Sequence, residues 1–470
     1  MFSLISALIL FTLISATTTW AAKPNPVLVI SLDGFRADYL HEHKHLLSNL
    51  SIIANHVTTP FIQPIFPSLT FPNHYALATG CYAETHGIVH NSFLQPRRTN
   101  DSSSTKFDHF KKSDDSHFWT SAEPLWISAV KQNISSAVFL WPGSVVNFNG
   151  HRPTYFQKRY IENVTLPQRV NKMLDLITKK NVRLAMVYYH QPDKTSHQFG
   201  PRSPEVKEML RKLNKDIGEI LIEIQKRQME NSLNLVIVSD HGLAKISPKR
   251  VIAIDELLAP RNHIEDLIDI RKMPLYSRYN IDSMTYGAVV HLWPRDDLVR
   301  PLYRRLKRAR ANLPRFEVYL KENLPDRWHY KNNERVAPVV MVAHPGWQIA
   351  LYRHIFTTSF LQDMNGLHGY DNAFDEMRAS FFAMGPAFKS NVTLDSFENV
   401  NVYSLLAHLA GIKPRPNNGS LLTFQRALKE NVRYFFLSIF FFNMLSFECF
   451  LRFLRKWHYL KLLPLIMRTL

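Results

Sequence analysis

Short continuous apolar runs, rich in β-branched residues, recur along the middle of the chain. Runs of this length without polar interruption are typical of strands buried on both faces, as in parallel sheets covered by helices. We predict such strands at residues 27–32, 137–141, 184–189, 235–239 and 348–352.

A helical pattern lies between two of these strands. Ser203 and Pro204 form a helix start, with an N-cap hydroxyl followed by proline at the first turn. Apolar residues then recur every three or four positions, at Val206, Leu210, Leu213, Ile217, Leu221 and Ile224. Alternation of strands and helices predicts an α/β fold with a largely parallel central sheet and helices on both faces. Residues 245–345 are richer in proline and basic residues, which indicates an inserted subdomain.

Both ends of the chain carry apolar segments of a different kind. Residues 2–15 are uncharged and apolar and precede small residues, so we interpret 1–22 as a signal peptide, with a membrane anchor as the alternative. Residues 434–451 form a second apolar stretch, followed by basic residues in 452–470. This arrangement predicts a transmembrane helix with a short cytoplasmic tail, and an amphipathic or buried helix is the alternative. We therefore expect a type I membrane protein with its main body, residues 23–425, at the cell surface.

Glycosylation sequons support a secreted compartment. Six occur, and we expect a glycosylated extracellular surface at Asn49, Asn100, Asn133, Asn163, Asn391 and Asn418. Only two cysteines are present, Cys81 and Cys449, which excludes a disulfide-dense scaffold and a cysteine-based structural zinc site.

The composition bounds the class of protein. Hydrophobic residues make up 46% of the 470 residues and charged residues 20%, which excludes wholesale disorder. A net charge of +18 first suggests a nucleic-acid partner. Because the chain is expected outside the cell, we expect no nucleic-acid binding. The basic segment 295–335 either attracts anionic nucleotides or forms a solvated face, and we favour the solvated face.

Aspartates follow three of the predicted strands. Asp33 follows the first strand, Asp193 the third and Asp240 the fourth. A single Asp-Gly pair is most often a turn. Ligands gather at the carboxyl ends of strands in parallel sheets, so three carboxylates there would converge and repel one another unless a cation lay between them.

Histidines lie close to these aspartates. Asp193 and His197 are four residues apart, Asp240 and His241 are adjacent, and His368 lies in a glycine-flanked loop. A lone His368 would more often be structural. Mixed carboxylate and imidazole ligands suit Zn²⁺ better than Mg²⁺, which prefers oxygen ligands.

Thr70 is a candidate nucleophile. It precedes Pro72 by two residues, so its simplest role is that of a helix N-cap. Both roles are compatible, because the positive end of a helix dipole helps to ionise a hydroxyl and to bind phosphate.

The sequence also resembles a known family. The motifs DGFR (33–36), FPSLTFPNHY (66–75), TGCYAETHGIVHN (79–91), PDKTSHQFGP (192–201), SDHG (239–242) and GLHGYDN (366–372) look like successive motifs of the ectonucleotide pyrophosphatase/phosphodiesterases, in the alkaline phosphatase superfamily. The resemblance covers roughly residues 25–425 and implies an alkaline-phosphatase-like fold.

The resemblance implies a site with two Zn²⁺ ions. Thr70 would be the nucleophile of a covalent nucleotidyl intermediate, Asn91 would donate to the phosphoryl oxygens, and Phe71 would stack on the nucleobase. Tyr160 is a weaker candidate for the opposite wall. One zinc would be held by Asp193, His197 and His368, and the other by Asp33, Asp240, His241 and Thr70.

The resemblance therefore implies a zinc ecto-phosphodiesterase that hydrolyses nucleotides such as ATP, ADP, NAD or dinucleotide polyphosphates to nucleoside 5′-monophosphates. One alternative keeps the site and takes choline-headgroup lipids, because an aromatic wall also accommodates a quaternary ammonium. Another is a binding protein with an inactive enzyme fold.

Overall fold

The computed structural model describes residues 24–97, 106–111, 114–157, 163–258, 286–353 and 363–429. Residues up to Ala427 belong to one compact unit, and a second unit begins at Leu428. The predicted signal peptide, transmembrane segment and cytoplasmic tail lie outside the described residues. Within those ranges, no helix combines the length and apolar character needed to cross a bilayer.

Strands and helices alternate through the described residues. In chain order the strands are β1 Val27–Leu32, β2 Val57–Thr58, β3 Ile62–Gln63, β4 Ser92–Arg97, β5 Lys106–Lys111, β6 Ser136–Phe139, β7 Tyr155–Phe156, β8 Leu184–Tyr189, β9 Asn234–Val238, β10 Ala244–Lys245, β11 Val251–Ala253, β12 Tyr286–Gly287, β13 Val289–Leu292, β14 Phe316–Leu320, β15 Val339–Ala343, β16 Gln348–Ala350, β17 Gly366–Leu367, β18 Phe381–Met384, β19 Val392–Thr393 and β20 Phe397–Glu398. The helices are α1 Tyr39–Glu42, α2 Ser48–Ala54, α3 Thr70–Thr79, α4 Ala83–His86, α5 Leu125–Lys131, α6 Leu166–Lys180, α7 Asp193–Phe199, α8 Pro204–Lys226, α9 Ile254–Leu258, α10 Val299–Asn312 and α11 Asn401–Ala410.

An eight-stranded sheet organises the fold, in the order β19-β2-β18-β9-β1-β8-β6-β7. Strands β9, β1, β8, β6 and β7 run parallel, whereas β18 pairs antiparallel with both β9 and β2. Every residue of β1 and β9 is buried, as expected for strands covered on both faces. The predicted α/β class with a largely parallel sheet is confirmed.

Helices cover both faces of this sheet. On one face, α2, α6 and α8 join the sheet in a single hydrophobic cluster with β1, β8 and β9. Helix α11 packs against β1 and α3, and α5 packs against β6. Helix α8 begins as predicted, with the Ser203 hydroxyl accepting a hydrogen bond from Val206 N and Pro204 at the first position.

A second hydrophobic cluster takes most of its residues from the region predicted as an inserted subdomain and extends beyond it to Met377. It contains residues of α9, α10 and two three-stranded sheets, ordered β11-β16-β12 and β13-β15-β14. The apolar run at 348–352 forms β16 here and does not join the central sheet. Its pairing partner β11 comes from the same region, and an apolar run alone does not specify which sheet it joins.

Candidate active site

The three aspartates lie together because the strands that precede them are neighbours. Strand β1 is hydrogen-bonded between β9 and β8, and Asp33, Asp240 and Asp193 follow these three strands at their carboxyl ends. Backbone hydrogen bonds fix two of them: Asp33 N donates to Tyr189 O (2.9 Å), and Asp193 N donates to Asp33 O (3.0 Å). The predicted convergence of carboxylates is observed.

Gly34 allows this close approach. Its φ is +66°, and a Cβ at this position would lie 2.8 Å from Asp193 Cβ. Its N–H donates to Asp240 Oδ1 at 3.1 Å. Gly34 therefore lies between two of the aspartates, where a side chain would push Asp193 away.

Six side chains form two candidate metal groups. The first consists of Asp193, His197 and His368, and the second of Asp33, Asp240 and His241; in each, the potential ligand atoms lie within 4.8 Å of one another. In the first group, Asp193 Oδ1 is 3.4 Å from His197 Nε2 and 3.6 Å from His368 Nε2. In the second, His241 Nε2 is 3.5 Å from Asp33 Oδ1 and 3.0 Å from Asp240 Oδ2. These are the two ligand sets implied by the sequence motifs.

Backbone carbonyl oxygens orient all three imidazoles. The Nδ1 atoms lie 2.8 Å from Gly366 O for His197, 2.9 Å from Gly242 O for His241 and 2.9 Å from Ser68 O for His368. Because a carbonyl can only accept, each Nδ1 carries a proton, so Nε2 is the ring nitrogen that can offer a lone pair to a metal ion. This is the arrangement by which metal-binding histidines are normally fixed.

Burial and charge make the second group unfavourable without a cation. Asp33 is 2% exposed, and Asp240 and His241 are fully buried. Asp33 Oδ1 accepts no hydrogen bond from the described residues, and a buried ionised carboxylate without compensation is costly. Burial, together with the charges of Asp240 and Asp193, raises the pKa of Asp33 well above its usual value. A divalent cation would remove both problems, so the donor set fits a metal.

Asp240 and His241 form a tight pair. Burial alone would raise the pKa of Asp240, but the neighbouring His241 and His74 outweigh it and hold that pKa well below its usual value. Burial likewise opposes the charge of His241, but Asp240 outweighs it and raises the pKa of His241 to about 9. The pair therefore carries opposite charges in the metal-free protein.

Thr70 lies beside the second group. Its Oγ1 is 3.2 Å from His241 Nε2. Thr70 is the first residue of α3, and the extended Leu69 (φ −117°, ψ 152°) is the N-cap. The N-cap role predicted for Thr70 is therefore wrong, and its hydroxyl faces the candidate metal ligands instead of capping the helix.

The His74 side chain links the backbone of Thr70 to Asp240. It lies one helical turn after Thr70, and its Nδ1 is 2.9 Å from Thr70 O and 3.2 Å from Asp240 Oδ2. Its Nε2 is 2.8 Å from Ser31 Oγ on β1. No role for His74 is predicted from the sequence, although its position four residues after the candidate nucleophile could have indicated one.

Asn91 and Phe71 lie close to Thr70. The Asn91 Oδ1 accepts from Phe71 N at 2.9 Å, which leaves its Nδ2 as the remaining donor group. The Phe71 ring lies 6.0 Å from each of Phe110 and Trp119, in a cluster of aromatic side chains. Tyr160, predicted as the opposite wall, lies outside the described residues.

A cleft of about 630 Å³ opens over the first group. The side chains that line it include Asp193, His197 and His368 of the first group, together with Asn91 and Lys194. Lys194 was not singled out in the sequence, because only the cleft gives it a role.

Tyr188 is another residue that the sequence analysis missed. It is the second-last residue of β8, and its phenol donates to Asp33 Oδ2 at 2.5 Å. No sequence pattern distinguishes it from other strand tyrosines.

The described sequons differ in exposure. Asn133, Asn163, Asn391 and Asn418 are exposed. Asn49 is half-buried in α2, and its Nδ2 donates to Asn214 O on α8 at 2.9 Å. Asn100 lies outside the described residues.

Comparison with known proteins agrees with this site. Residues 27–371 match the family described as type I phosphodiesterase / nucleotide pyrophosphatase. The chain is 34% identical over 424 residues to human ectonucleotide pyrophosphatase/phosphodiesterase family member 5, covering 89% of this chain and 81% of that protein. It is 33% identical over 403 residues to the mouse bis(5′-adenosyl)-triphosphatase enpp4, covering 84% of this chain and 79% of that protein.

Solved structures give the same result. The human family member 5 structure superimposes with a TM-score of 0.75 at 32% identity, covering 86% of this chain and 100% of that chain. An inactive variant of the murine member 5, in complex with AMP, gives a TM-score of 0.74 at 33% identity, with coverage of 86% and 100%. The resemblance stated from the motifs is thereby confirmed: the chain belongs to the ectonucleotide pyrophosphatase/phosphodiesterase family of the alkaline phosphatase superfamily, and it is a hydrolase.

Proposed function

We propose that this chain is a zinc-dependent nucleotide pyrophosphatase/phosphodiesterase that forms a covalent intermediate on Thr70 and releases nucleoside 5′-monophosphates. The observation that carries the proposal is the position of Thr70 Oγ1, 3.2 Å from His241 Nε2 and beside two groups of carboxylate and imidazole ligands. A hydroxyl held against such groups is typical of an activated nucleophile.

The donor chemistry favours zinc. Each group offers both imidazole and carboxylate ligands, and thiolate is absent from both. Asp193, His197 and His368 would hold one ion, and Asp33, Asp240 and His241 the other. When bound, two zinc ions would supply Lewis acidity that lowers the pKa of the Thr70 hydroxyl and neutralises charge on the phosphoryl oxygens.

Thr70, Asn91 and His74 have separate roles in the proposed reaction. Thr70 Oγ forms a bond to phosphorus as the bond to the leaving oxygen breaks, and water then hydrolyses the nucleotidyl–threonine ester to free the hydroxyl and the monophosphate. Asn91, fixed by its bond from Phe71 N, directs its amide N–H groups at the phosphoryl oxygens, where charge develops. His74 holds the Thr70 carbonyl and so positions the nucleophile.

The surroundings of Thr70 support a nucleotide substrate. Phe71 offers a ring face backed by Phe110 and Trp119, and stacking on such a face suits any base. The murine relative binds AMP in its inactive form, and the mouse relative is named for a dinucleoside triphosphate. AMP belongs to the class of product proposed here, and a dinucleoside triphosphate to the class of substrate.

The cleft favours nucleotides over choline lipids. In an in-line displacement the leaving group departs opposite Thr70, and we infer that it enters the cleft that the first ligand group lines. Of the described residues that line it, Lys194 is the one lysine or arginine; Asp363 also lines it. A cation there stabilises a departing phosphate or pyrophosphate, whereas a choline lipid would release an uncharged acylglycerol.

We also propose a cell-surface location with a single C-terminal transmembrane helix. The support is the apolar segments at 2–15 and 434–451 and the basic residues that follow the second. Four exposed sequons agree with a glycosylated exterior. Surface biotinylation of intact cells expressing the chain should label the catalytic body, and labelling only after permeabilisation would contradict the proposal.

The activity is tested with a chromogenic thymidine 5′-monophosphate ester. Hydrolysis should be abolished by a chelator and restored by Zn²⁺. Thr70→Ala should lower the rate of hydrolysis about a thousandfold or more, as expected when a nucleophile is removed. Thr178→Ala, which removes an exposed hydroxyl from α6, serves as the matched control and should keep the full rate. Unchanged turnover by Thr70→Ala would contradict the covalent mechanism.

A further inference from the structure

Helix α10 carries an unusual row of cations. Residues Val299–Asn312 include six lysines or arginines and no aspartate or glutamate. Leu302 and Leu306 are buried in the second hydrophobic cluster, which fixes the orientation of the helix. The opposite face then presents four exposed cations at three- and four-residue spacing, Arg300, Arg304, Lys307 and Arg308. This cationic row is about 12 Å long at 1.5 Å per residue.

The row is not neutralised by neighbouring acids. Arg300 lies 3.9 Å from Glu322, at the outer limit of an ion pair. Among the residues that the structure describes, Arg304, Lys307 and Arg308 have no carboxylate within 4.0 Å. The helix dipole favours cations in the last turn, where Arg310 lies, and does not account for those in the first two turns.

Helix α8 shows how a solvated face differs. It carries five basic and five acidic residues over Pro204–Lys226. Acidic residues alternate with its cations, so that Arg211 pairs with Glu208 (2.8 Å) and Lys215 lies 3.9 Å from Glu219. The two helices have similarly amphipathic patterns, so the absence of acids on α10 is not a requirement of helix formation.

We propose that this row is a docking site for a linear sulfated polysaccharide. A narrow line of guanidinium and ammonium groups matches a chain of regularly spaced sulfates, and guanidinium binds such oxyanions in a bidentate fashion. The large exposed apolar side chains among the described residues are Ile52, Phe199, Ile222 and Leu422, and none lies on α10, so the row lacks the apolar face that inserts into a bilayer. Tyr303 packs against the hydrophobic cluster, so α10 offers no ring for stacking nucleic-acid bases.

The test is the binding of the purified full-length chain to a heparin oligosaccharide over a range of NaCl concentrations. The triple variant Arg304→Gln, Lys307→Gln, Arg308→Gln should raise the Kd at least about tenfold, and the slope of log Kd against log [NaCl] should fall by about 3, one for each cation removed. The control triple variant Lys207→Gln, Arg211→Gln, Lys215→Gln removes the same charge from α8 and should change the Kd less than about twofold.

Three outcomes would overturn the proposal. Equal weakening by both triple variants would show that only net charge matters. Equal binding of desulfated heparin would show that sulfate is not recognised. Tighter binding to phosphatidylserine vesicles than to heparin, lost in the α10 variant, would assign the row to a membrane surface. Hydrolysis of the chromogenic ester should be the same in both variants, so this test is independent of the proposed catalytic mechanism.

Discussion

Replacing Gly34 with alanine should weaken metal binding beyond its effect on stability. The added Cβ would lie 2.8 Å from Asp193 Cβ and 3.0 Å from Asp193 Cα. Carbon atoms in contact prefer about 3.5 Å or more, so relief requires a shift of about 0.7 Å. One of the two atoms belongs to the backbone, so Asp193 would move as a whole. Displacing a candidate metal ligand in this way should cost about 10- to 100-fold in metal affinity.

Backbone strain contributes separately and can be subtracted. Gly34 has a φ of +66°, and a left-handed conformation costs a non-glycine residue about 1–2 kcal/mol. Gly150 has a φ of +85° and nothing within 4 Å of its added Cβ. Gly150→Ala therefore carries the same kind of strain without the contact, and we expect it to lower the free energy of unfolding by about 1–2 kcal/mol with no change in metal affinity.

The assay has two parts. Urea unfolding in the presence of a chelator gives the free energy of unfolding of the metal-free protein for the wild type, Gly34→Ala and Gly150→Ala. Competition with a fluorescent zinc chelator then gives the zinc affinity of each. If Gly34→Ala binds zinc as tightly as Gly150→Ala does, the role assigned to the close approach of Gly34 and Asp193 is refuted.

Three further predictions follow from other parts of the structure. Lys194→Met should lower kcat/KM for ATP by about tenfold or more, as expected for a lost charge-assisted hydrogen bond, and should change kcat/KM for the chromogenic thymidine ester by less than about twofold. Lys207→Met on α8 should change neither value, and equal loss on both substrates would contradict a role of Lys194 in leaving-group recognition. Burial lowers the pKa of His86 from 6.5 to about 3, so the unfolded chain takes up a proton below pH 6.5 that the folded chain does not. As the pH falls from 6.5 to 3, this group should lower the free energy of unfolding by up to about 1.4 kcal/mol per pH unit. The free energy of unfolding of His86→Gln, measured in urea, should therefore depend less steeply on pH than that of the wild type. Equal pH dependence would contradict the burial of a neutral His86. Mass spectrometry of glycopeptides should find Asn49 unmodified, because its side chain is hydrogen-bonded to Asn214 O on α8. A glycan on Asn49 of the folded protein would contradict this packing. The exposed sequons available for modification are Asn133, Asn163, Asn391 and Asn418.

The sequence predicts those parts of the fold that burial determines. Strands β1, β8 and β9 were predicted almost residue for residue because they are buried on both faces and therefore have continuous apolar sequences. The run at 137–141 ends early, at Phe139, since Leu140 adopts a positive φ of 64°. The two-residue strands β2 and β19 have no such pattern, because distant pairing and not local burial defines them.

The candidate site divides in the same way. The six candidate ligands were predicted because each stands in a distinctive motif, and topology then places three of them after neighbouring strands. The carbonyl oxygens of Gly366, Gly242 and Ser68, which orient the histidines, could not be predicted because every residue has one. The helix N-cap also could not be predicted. Whether Leu69 or Thr70 occupies that position depends on backbone angles that tertiary packing determines.

The central claim is that two zinc ions held by these six side chains drive hydrolysis at Thr70. The most direct test is to remove all metal from the purified full-length chain, add Zn²⁺ back stepwise, and measure bound zinc by mass spectrometry together with the hydrolysis rate. The account predicts no rate without metal and full recovery as bound zinc reaches about two ions per chain. Full hydrolytic activity with no bound metal, or a hydrolysis rate that reaches its maximum before any zinc is bound, would contradict this expectation.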